Sequence, residues 1–295
     1  MRKTLDRTYQ IVPRFPQGKT HAVTLSYDDG VTTDIRMVEL MRAQGVKGTF
    51  NINTSRLSEE IKTYPKGQWG KLTYAQCKEL YGTDMEVAVH TATHPFLERI
   101  PTAEVMQEVL EDRIAIEEMV GHPVRGMAYP YGTTSDAVVD VLRMAGIVYA
   151  RTTVSTEQFS LPTDWLRMPA TCHHNNPRLM ELTEEFLKPV GRYGVPKLFY
   201  LWGHTYEFEQ NDNWPVIEQF LATIGKRPEL WYATNIEIYD YLQAYHRLQW
   251  SVGRKMVENP SSMDVWIGLH RFGDGEQVVR VPAGEMVRLP LNNRM

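Results

Sequence analysis

The sequence predicts an α/β protein, an irregular (β/α) barrel over residues 1–250 followed by a small antiparallel β appendage over residues 251–295. Three observations carry this reading. Six or seven apolar, strand-like runs alternate with stretches of helical periodicity, the pattern of a parallel sheet with crossover helices. Chemistry-bearing residues recur where those runs end, at Asp28, Asp29, His90, His94, Tyr131 and His204, and strand C-termini are where a barrel carries its working groups. From about residue 252 the texture changes. Val265, Ile267 and Leu269, then Val279, Val281, Val287 and Leu289, alternate around Gly273-Asp274-Gly275 and read as two or three antiparallel strands. The appendage is expected to be a structural cap rather than a binding module.

Taken in order, residues 1–20 are polar, contain Pro13 and Pro16, and read as an extended lead-in. Val23–Tyr27 is β-branched and apolar, a buried strand that runs into Asp28-Asp29-Gly30. Ile35, Val38 and Met41 set a helix over residues 34–44, ended by Gly45. Val46–Asn53 is the next strand. Residues 54–75 form a long connection whose Tyr64 and Trp69 either line a site or pack. A helix follows over Tyr74–Tyr81, then a strand ending in His90. The clearest helix spans Thr102–Val120, with Met106, Val109, Leu110 and Ile114 on one stripe, Thr102 as cap, and Gly121 with Pro123 as the stop. Gly126–Tyr131, Ile147–Thr153, Trp165–Thr171, Lys197–His204 and Leu230–Ala233 read as strands. Ser135–Ala145, Leu179–Leu187, Pro215–Ile224 and Ile236–Leu248 read as helices.

With 42% apolar and 11% aromatic residues in 295, the chain can bury a sizeable core. A net charge of −4 without a long basic run excludes the electrostatic footprint of a nucleic-acid binder. No apolar run reaches bilayer-spanning length, and the basic N-terminus lacks the apolar core of a secretory signal. A cytoplasmic protein with no nucleic-acid or membrane partner is therefore expected. Cys77 and Cys172 supply neither a disulfide framework nor a CxxC pair, and are expected to be reduced and buried.

Two adjacent carboxylates at a strand end are costly to place unless a cation binds them or one pKa rises. The bland alternative is a solvated turn with Asp34 capping the next helix. His90 and His94 shift the balance, because two imidazoles and one carboxylate leave coordination positions open, as a catalytic metal requires. His204 in Leu201-Trp202-Gly203-His204 would by itself read as a packed histidine. His173-His174-Asn175-Asn176 reads as a polar loop, a substrate contact or a second metal site. Trp202, Trp165, Tyr131 and Tyr206 can form an aromatic platform for sugar faces, with core packing the default for any one of them. Glu207 and Asp212 adjoin the site in sequence only.

Over roughly residues 20–245 these motifs resemble the polysaccharide deacetylases, the NodB-type carbohydrate esterases. The family's Thr-Phe-Asp-Asp-Gly stands as Ser26-Tyr27-Asp28-Asp29-Gly30, and its His-(Ser/Thr)-x-x-His as His90-Thr91-Ala92-Thr93-His94. Its Arg-x-Pro-Tyr stands as Ala128-Tyr129-Pro130-Tyr131, without the arginine. Asp164-Trp165 is matched to its fourth region, and Leu201-Trp202-Gly203-His204 to its Leu-x-x-His. The resemblance implies a deacetylase-type barrel with Asp28 as general base and His204 as general acid. Asp29, His90 and His94 would bind a divalent metal, zinc first and cobalt or nickel as alternatives. The Tyr131 backbone N–H would help hold the oxyanion. From the residues themselves, Trp202, Trp165, Tyr206, His173 and His174 are the candidates expected to face the substrate. Arg151 or Arg167 would replace the absent arginine beside Asp28.

The chemistry supports these roles independently. Hydrolysing an acetyl group needs an activated water, a polarised carbonyl and a proton for the leaving group, which a metal, a carboxylate and a histidine supply. The expectation is a metal-dependent hydrolase removing N- or O-linked acetyl groups from an oligo- or polysaccharide. The alternatives are an amide or cyclic-imide hydrolase on the same scaffold, or a sugar-binding protein without turnover. The bond type and the oligomeric state are left open.

Overall fold

The computed structural model describes residues 9–191, 194–271 and 274–290. The first residues of the lead-in, and Gly273 of the expected turn, lie outside them. The strands are β1 (Tyr9–Arg14), β2 (His21–Asp28), β3 (Thr49–Ile52), β4 (Glu86–Val89), β5 (Gly126–Ala128), β6 (Tyr149–Ser155), β7 (Met168–Ala170), β8 (Cys172–His173), β9 (Lys197–Gly203) and β10 (Leu230–Tyr232). After them come β11 (Gln249–Trp250), β12 (Met256–Glu258), β13 (Val265–Arg271), β14 (Asp274–Val281) and β15 (Met286–Arg288). The helices are α1 (Asp34–Ala43), α2 (Tyr74–Tyr81), α3 (Thr102–Val120), α4 (Asp136–Met144), α5 (Leu179–Leu187), α6 (Tyr206–Gln210), α7 (Trp214–Ile224) and α8 (Asn235–His246).

All eight residues of β2 are buried, and strand alternation divides them. Val23, Leu25 and Tyr27 join the apolar layer beneath the helices, together with Met37, Val38 and Met41 of α1 and Val105, Val109 and Ile116 of α3. Ala22, Thr24, Ser26 and Asp28 take the other face, where Thr24 bonds Asn235 and Ser26 bonds Asn51. That parity delivers Asp28 into the barrel.

The parallel sheet runs β7-β6-β5-β4-β3-β2-β9-β8, with β10 pairing β2 at its first residues, below where β3 pairs with its last. The edges meet because β7 passes into β8 through Thr171, whose N–H donates to the Tyr200 carbonyl of β9 at 2.8 Å. The barrel is thus closed by chain continuity, and it is irregular because β10 takes only part of β2. Its strands bring the residues after Asp28, Val89, Ala128 and Gly203 to one mouth.

Several local expectations need correction. Helix α3 buries Val105, Val109, Asp112, Ile116 and Met119, whereas Ile114 is 55% exposed. The apolar stripe misleads because the true core face contains a polar residue, Asp112, which accepts from the N–H groups of Thr54 and His90. Thr102 does not cap it; Pro101 precedes the helix with no side-chain bond, while Gly121, in the left-handed region at φ 76°, ends it as expected. Asp34 is a buried first-turn residue rather than a solvated cap. Of Trp165–Thr171 only Met168–Ala170 is strand, because Trp165–Arg167 forms a 3-10 turn capped by Asp164. Helix α6 has no counterpart in the sequence reading.

The lead-in is not merely extended. Its strand β1 pairs antiparallel with β13, from Tyr9 opposite Arg271 to Arg14 opposite Trp266. Two three-stranded sheets, β1-β13-β14 and β11-β12-β15, enclose Val257, Val265, Ile267, Leu269, Val281 and Leu289. Arg14, fully buried, pairs with Glu276 and donates to the Gly194 carbonyl at 2.5 Å. Cys77 and Cys172 are free and buried. Among the described residues, no helix is long and apolar enough to cross a membrane.

Candidate active site

Asp28 ends β2 with its side chain inside the barrel mouth. Its Oδ2 pairs with Arg151 Nη2 and lies 4.0 Å from His90 Nε2 and 3.8 Å from His204 Nε2. Its Oδ1 accepts from Asn51 Nδ2 at 2.9 Å, from the residue opposite it on β3. Burial alone would raise this carboxyl, but Arg151, His90 and His204 outweigh it and hold it below its ordinary value. The base candidate is therefore a carboxylate.

Ala128 stands where the family's arginine would be, and the register explains how the chain manages without it. Ala128 on β5 is directly opposite Arg151 on β6, so the guanidinium arrives at the same level from the neighbouring strand. It rests over the Trp202 ring, 4.6 Å from the ring centre. Arg167 pairs with Asp136 and Asp164 instead.

Asp29 follows with φ at 87°, a left-handed backbone that turns its side chain away from that of Asp28. Its N–H donates to the Asn51 carbonyl at 2.8 Å, and Lys71 Nζ stands 3.4 Å from Oδ1. Burial opposes ionisation here too, yet His90, Lys71, His204 and His94 bring the group down to about 2. Asp29, His90 and His94 converge, each presenting a donor atom within 4.8 Å of the others. His90 Nδ1 lies 2.8 Å from the Ala128 carbonyl, a contact that leaves Nε2 facing the carboxylates. The loop carrying both histidines is pinned by Asn53, which donates to the carbonyls of His90 and Thr91 at 2.6 and 2.9 Å. Thr91 and His94 adopt φ of 67° and 65°. Left-handed residues concentrated at one mouth are strain of the kind functional sites retain. Burial drives His94 down to about 4, so its imidazole is neutral, and its Nδ1 is buried without a partner. One carboxylate, two neutral imidazoles and an orphaned ring nitrogen fit a divalent cation.

His204 follows β9, and Glu207, three residues on, lies in the first turn of the short helix α6 beside it. Glu207 Oε1 lies 2.8 Å from His204 Nδ1. Burial would lower this imidazole, but Glu207 first, then Asp28 and Asp29, raise it above its ordinary value. Glu207 is therefore part of the site in space, a correction to its reading as a neighbour in sequence only. The spacing His-x-x-Glu on a helical turn was the available signal.

The remaining candidates divide. Tyr131, with φ of 58° and 51% exposed, stacks on Phe96 at 3.7 Å and sets its edge to His94 at 4.5 Å. Tyr206 stacks on Trp69 at 4.9 Å and flanks His204 at 5.1 Å. His173 and His174 lie against Glu207. Trp202, only 8% exposed, supports Arg151 and offers little ring face to a sugar. Trp165 packs edge-on against Tyr239 of α8 and lines a separate cavity with Pro13, Leu242 and Tyr245, so the structure does not bring it to the mouth. Asn51, Lys71, Glu207 and Phe96 were not singled out as site residues by sequence reasoning.

The pattern is matched in known proteins. Residues 16–150 match the polysaccharide deacetylase family. A chitooligosaccharide deacetylase from Bradyrhizobium sp. (strain ANU 289) is 30% identical over 153 residues, 50% of this chain and 60% of that protein. The chain thus spans less than two thirds of that relative's length. A Mycobacterium smegmatis structure assigned to the polysaccharide deacetylases aligns over 80% of this chain and 94% of its own at a TM-score of 0.55 and 14% identity. A polysaccharide deacetylase from Bacillus cereus, 24% identical, aligns over 49% of this chain and 44% of its own at a TM-score of 0.42. The fold and the residues at its mouth define a deacetylase-type (β/α) barrel. Over about half of its length the chain resembles the polysaccharide deacetylases, of the NodB type.

Proposed function

We propose that this protein is a metal-dependent hydrolase that removes acetyl groups from a carbohydrate. One observation carries the reading. Asp28 Oδ2 lies 4.0 Å from His90 Nε2 of the donor set and 3.8 Å from His204 Nε2, so base, metal donors and acid share one corner of the barrel mouth. The naming of the Bradyrhizobium relative as a chitooligosaccharide deacetylase favours an N-acetylated amino sugar over an O-acetyl ester.

Asp29, His90 and His94 would hold the ion. When bound, a divalent metal polarises the acetyl carbonyl and makes a water nucleophilic at neutral pH. The protein's own residues do the rest. Asp28, kept ionised by Arg151, accepts the proton of the attacking water. His204, kept charged by Glu207, donates a proton to the leaving amine or hydroxyl. Environments that push these two groups apart support Asp28 as the base and His204 as the acid. The Tyr131 N–H is the oxyanion donor, an interaction worth about 3–4 kcal/mol in the transition state where it has been removed by mutation. The stacked pairs Phe96–Tyr131 and Trp69–Tyr206 flank this centre and supply ring faces for sugars.

Metal-stripped protein should release no acetate from N- and O-acetylated oligosaccharides, and release should return with added zinc or cobalt. The responding substrates name the bond. Stripped protein as active as metal-loaded protein would overturn the metal requirement. No release from any acetylated sugar by metal-loaded protein would overturn the deacetylase reading.

A further inference from the structure

We propose that His173, His174 and Glu207 form a second, separate transition-metal site, built beside the acid and sharing no ligand with Asp29, His90 and His94. In a strand, consecutive side chains point to opposite faces. His173 closes β8, and the chain then bends so that both rings fall on one side, 4.3 Å apart, and aim at the same carboxylate. Glu207 Oε2 lies 3.1 Å from His174 Nε2 and 3.5 Å from His173 Nε2, and all three donor atoms fall within 4.8 Å of one another. Zinc with ligand distances of about 2.0–2.2 Å in tetrahedral geometry separates its donors by about 3.3 Å, which these separations bracket.

Hydrogen bonding alone leaves this cluster incompletely satisfied. His174 is fully buried, and its Nδ1 has no partner. Its Nε2 therefore either donates to Glu207 with a lone pair orphaned at Nδ1, or turns its lone pair on a carboxylate. A cation at the shared corner would take lone pairs from His173 Nε2, His174 Nε2 and Glu207 Oε2 together, with His173 Nδ1 giving up the Asn175 N–H that it accepts at 3.2 Å. Asn175 Nδ2, now 2.6 Å from that oxygen, is the donor the ion would displace. The His173 side chain is 23% exposed, so that side of the cluster reaches solvent. A His2Glu set with one open position suits zinc, cobalt or nickel better than magnesium or calcium, which prefer oxygen ligands.

The site is coupled to the first through Glu207, whose other oxygen contacts His204. An ion on Oε2 would thus share this carboxylate with His204.

The test is equilibrium dialysis of metal-stripped full-length protein against Zn2+ alone, with metal counted per chain. Two ions are expected in the wild type, one in His173→Ala, one in His94→Ala and none in the double variant. His173→Gln, which keeps a polar side chain on the loop, should match His173→Ala, and circular dichroism checks that each variant is folded. One ion in the wild type, kept in His173→Ala and lost in His94→Ala, would overturn the second site and leave the first standing. One ion lost in His173→Ala but kept in His94→Ala would support this site and remove the assignment to Asp29, His90 and His94. No bound ion in folded wild type would overturn both.

Discussion

Glu207 Oε1 lies 2.8 Å from His204 Nδ1, so the imidazole that faces Asp28 is held from behind by a carboxylate one helical turn away. This pairing raises the His204 pKa, and a general acid must be protonated to work. Glu207→Gln keeps the volume and removes the charge. The folded-state pKa of His204 then falls, and the alkaline limb of the rate profile should move to lower pH, with a loss in kcat of about tenfold or more at neutral pH. A profile that does not move would remove Glu207 from this role.

Arg151 reaches Asp28 from a strand that sequence motifs do not connect with it. Arg151→Met leaves a buried carboxylate without its partner, which typically costs about 3–5 kcal/mol. The variant should unfold at lower denaturant, and the acidic limb of its rate profile should rise as the Asp28 pKa climbs. Arg151→Lys should recover part of the stability but not the fixed geometry.

Asp34 accepts from the Tyr81 hydroxyl, the Thr205 hydroxyl and the Val31 N–H, and thereby anchors the residue after His204. Burial outweighs those bonds and raises the carboxyl to about 7. The folded pKa thus stands above the unfolded value, so the contribution to stability is full below about pH 4 and fades as pH rises through about 7. Compared with wild type, Asp34→Asn should gain relative stability between pH 5 and pH 8, measured by urea denaturation at each pH. An unchanged difference across that window would refute the assignment.

Trp69 lies on the long connection before α2 and stacks on Tyr206 beside the acid. Trp69→Ala should raise KM several-fold while leaving kcat within about twofold, because the ring contributes binding common to ground and transition states. A selective fall in kcat would instead place Trp69 in the chemistry.

Removing metal should also be visible without turnover. If Asp29, His90 and His94 bind zinc, saturating ion at about 100 times its Kd adds about 2.7 kcal/mol of stability, and chelation should lower the melting temperature accordingly. His94→Ala should abolish that portion of the shift.

Much of this protein was legible before folding was considered. The alternation of strands and helices predicts the barrel, and strand ends followed by Asp28-Asp29, His90 and His204 predict the mouth where they meet. These are local signals, because periodicity and strand termini are set by residues a few positions apart. Helix α3 shows the limit of that information. Its core face includes Asp112, and a polar residue is tolerated there only because Thr54 and the His90 N–H bond it across the structure. What only the tertiary structure decided involves pairs distant in sequence. Strand β1 joins a sheet with β13, Arg151 takes over beside Asp28 because β5 and β6 pair at Ala128, and Glu207 gathers His173, His174 and His204 around one carboxylate. Each depends on cross-strand register or on burial, which exist only once the barrel has closed, and no window of neighbouring residues contains them.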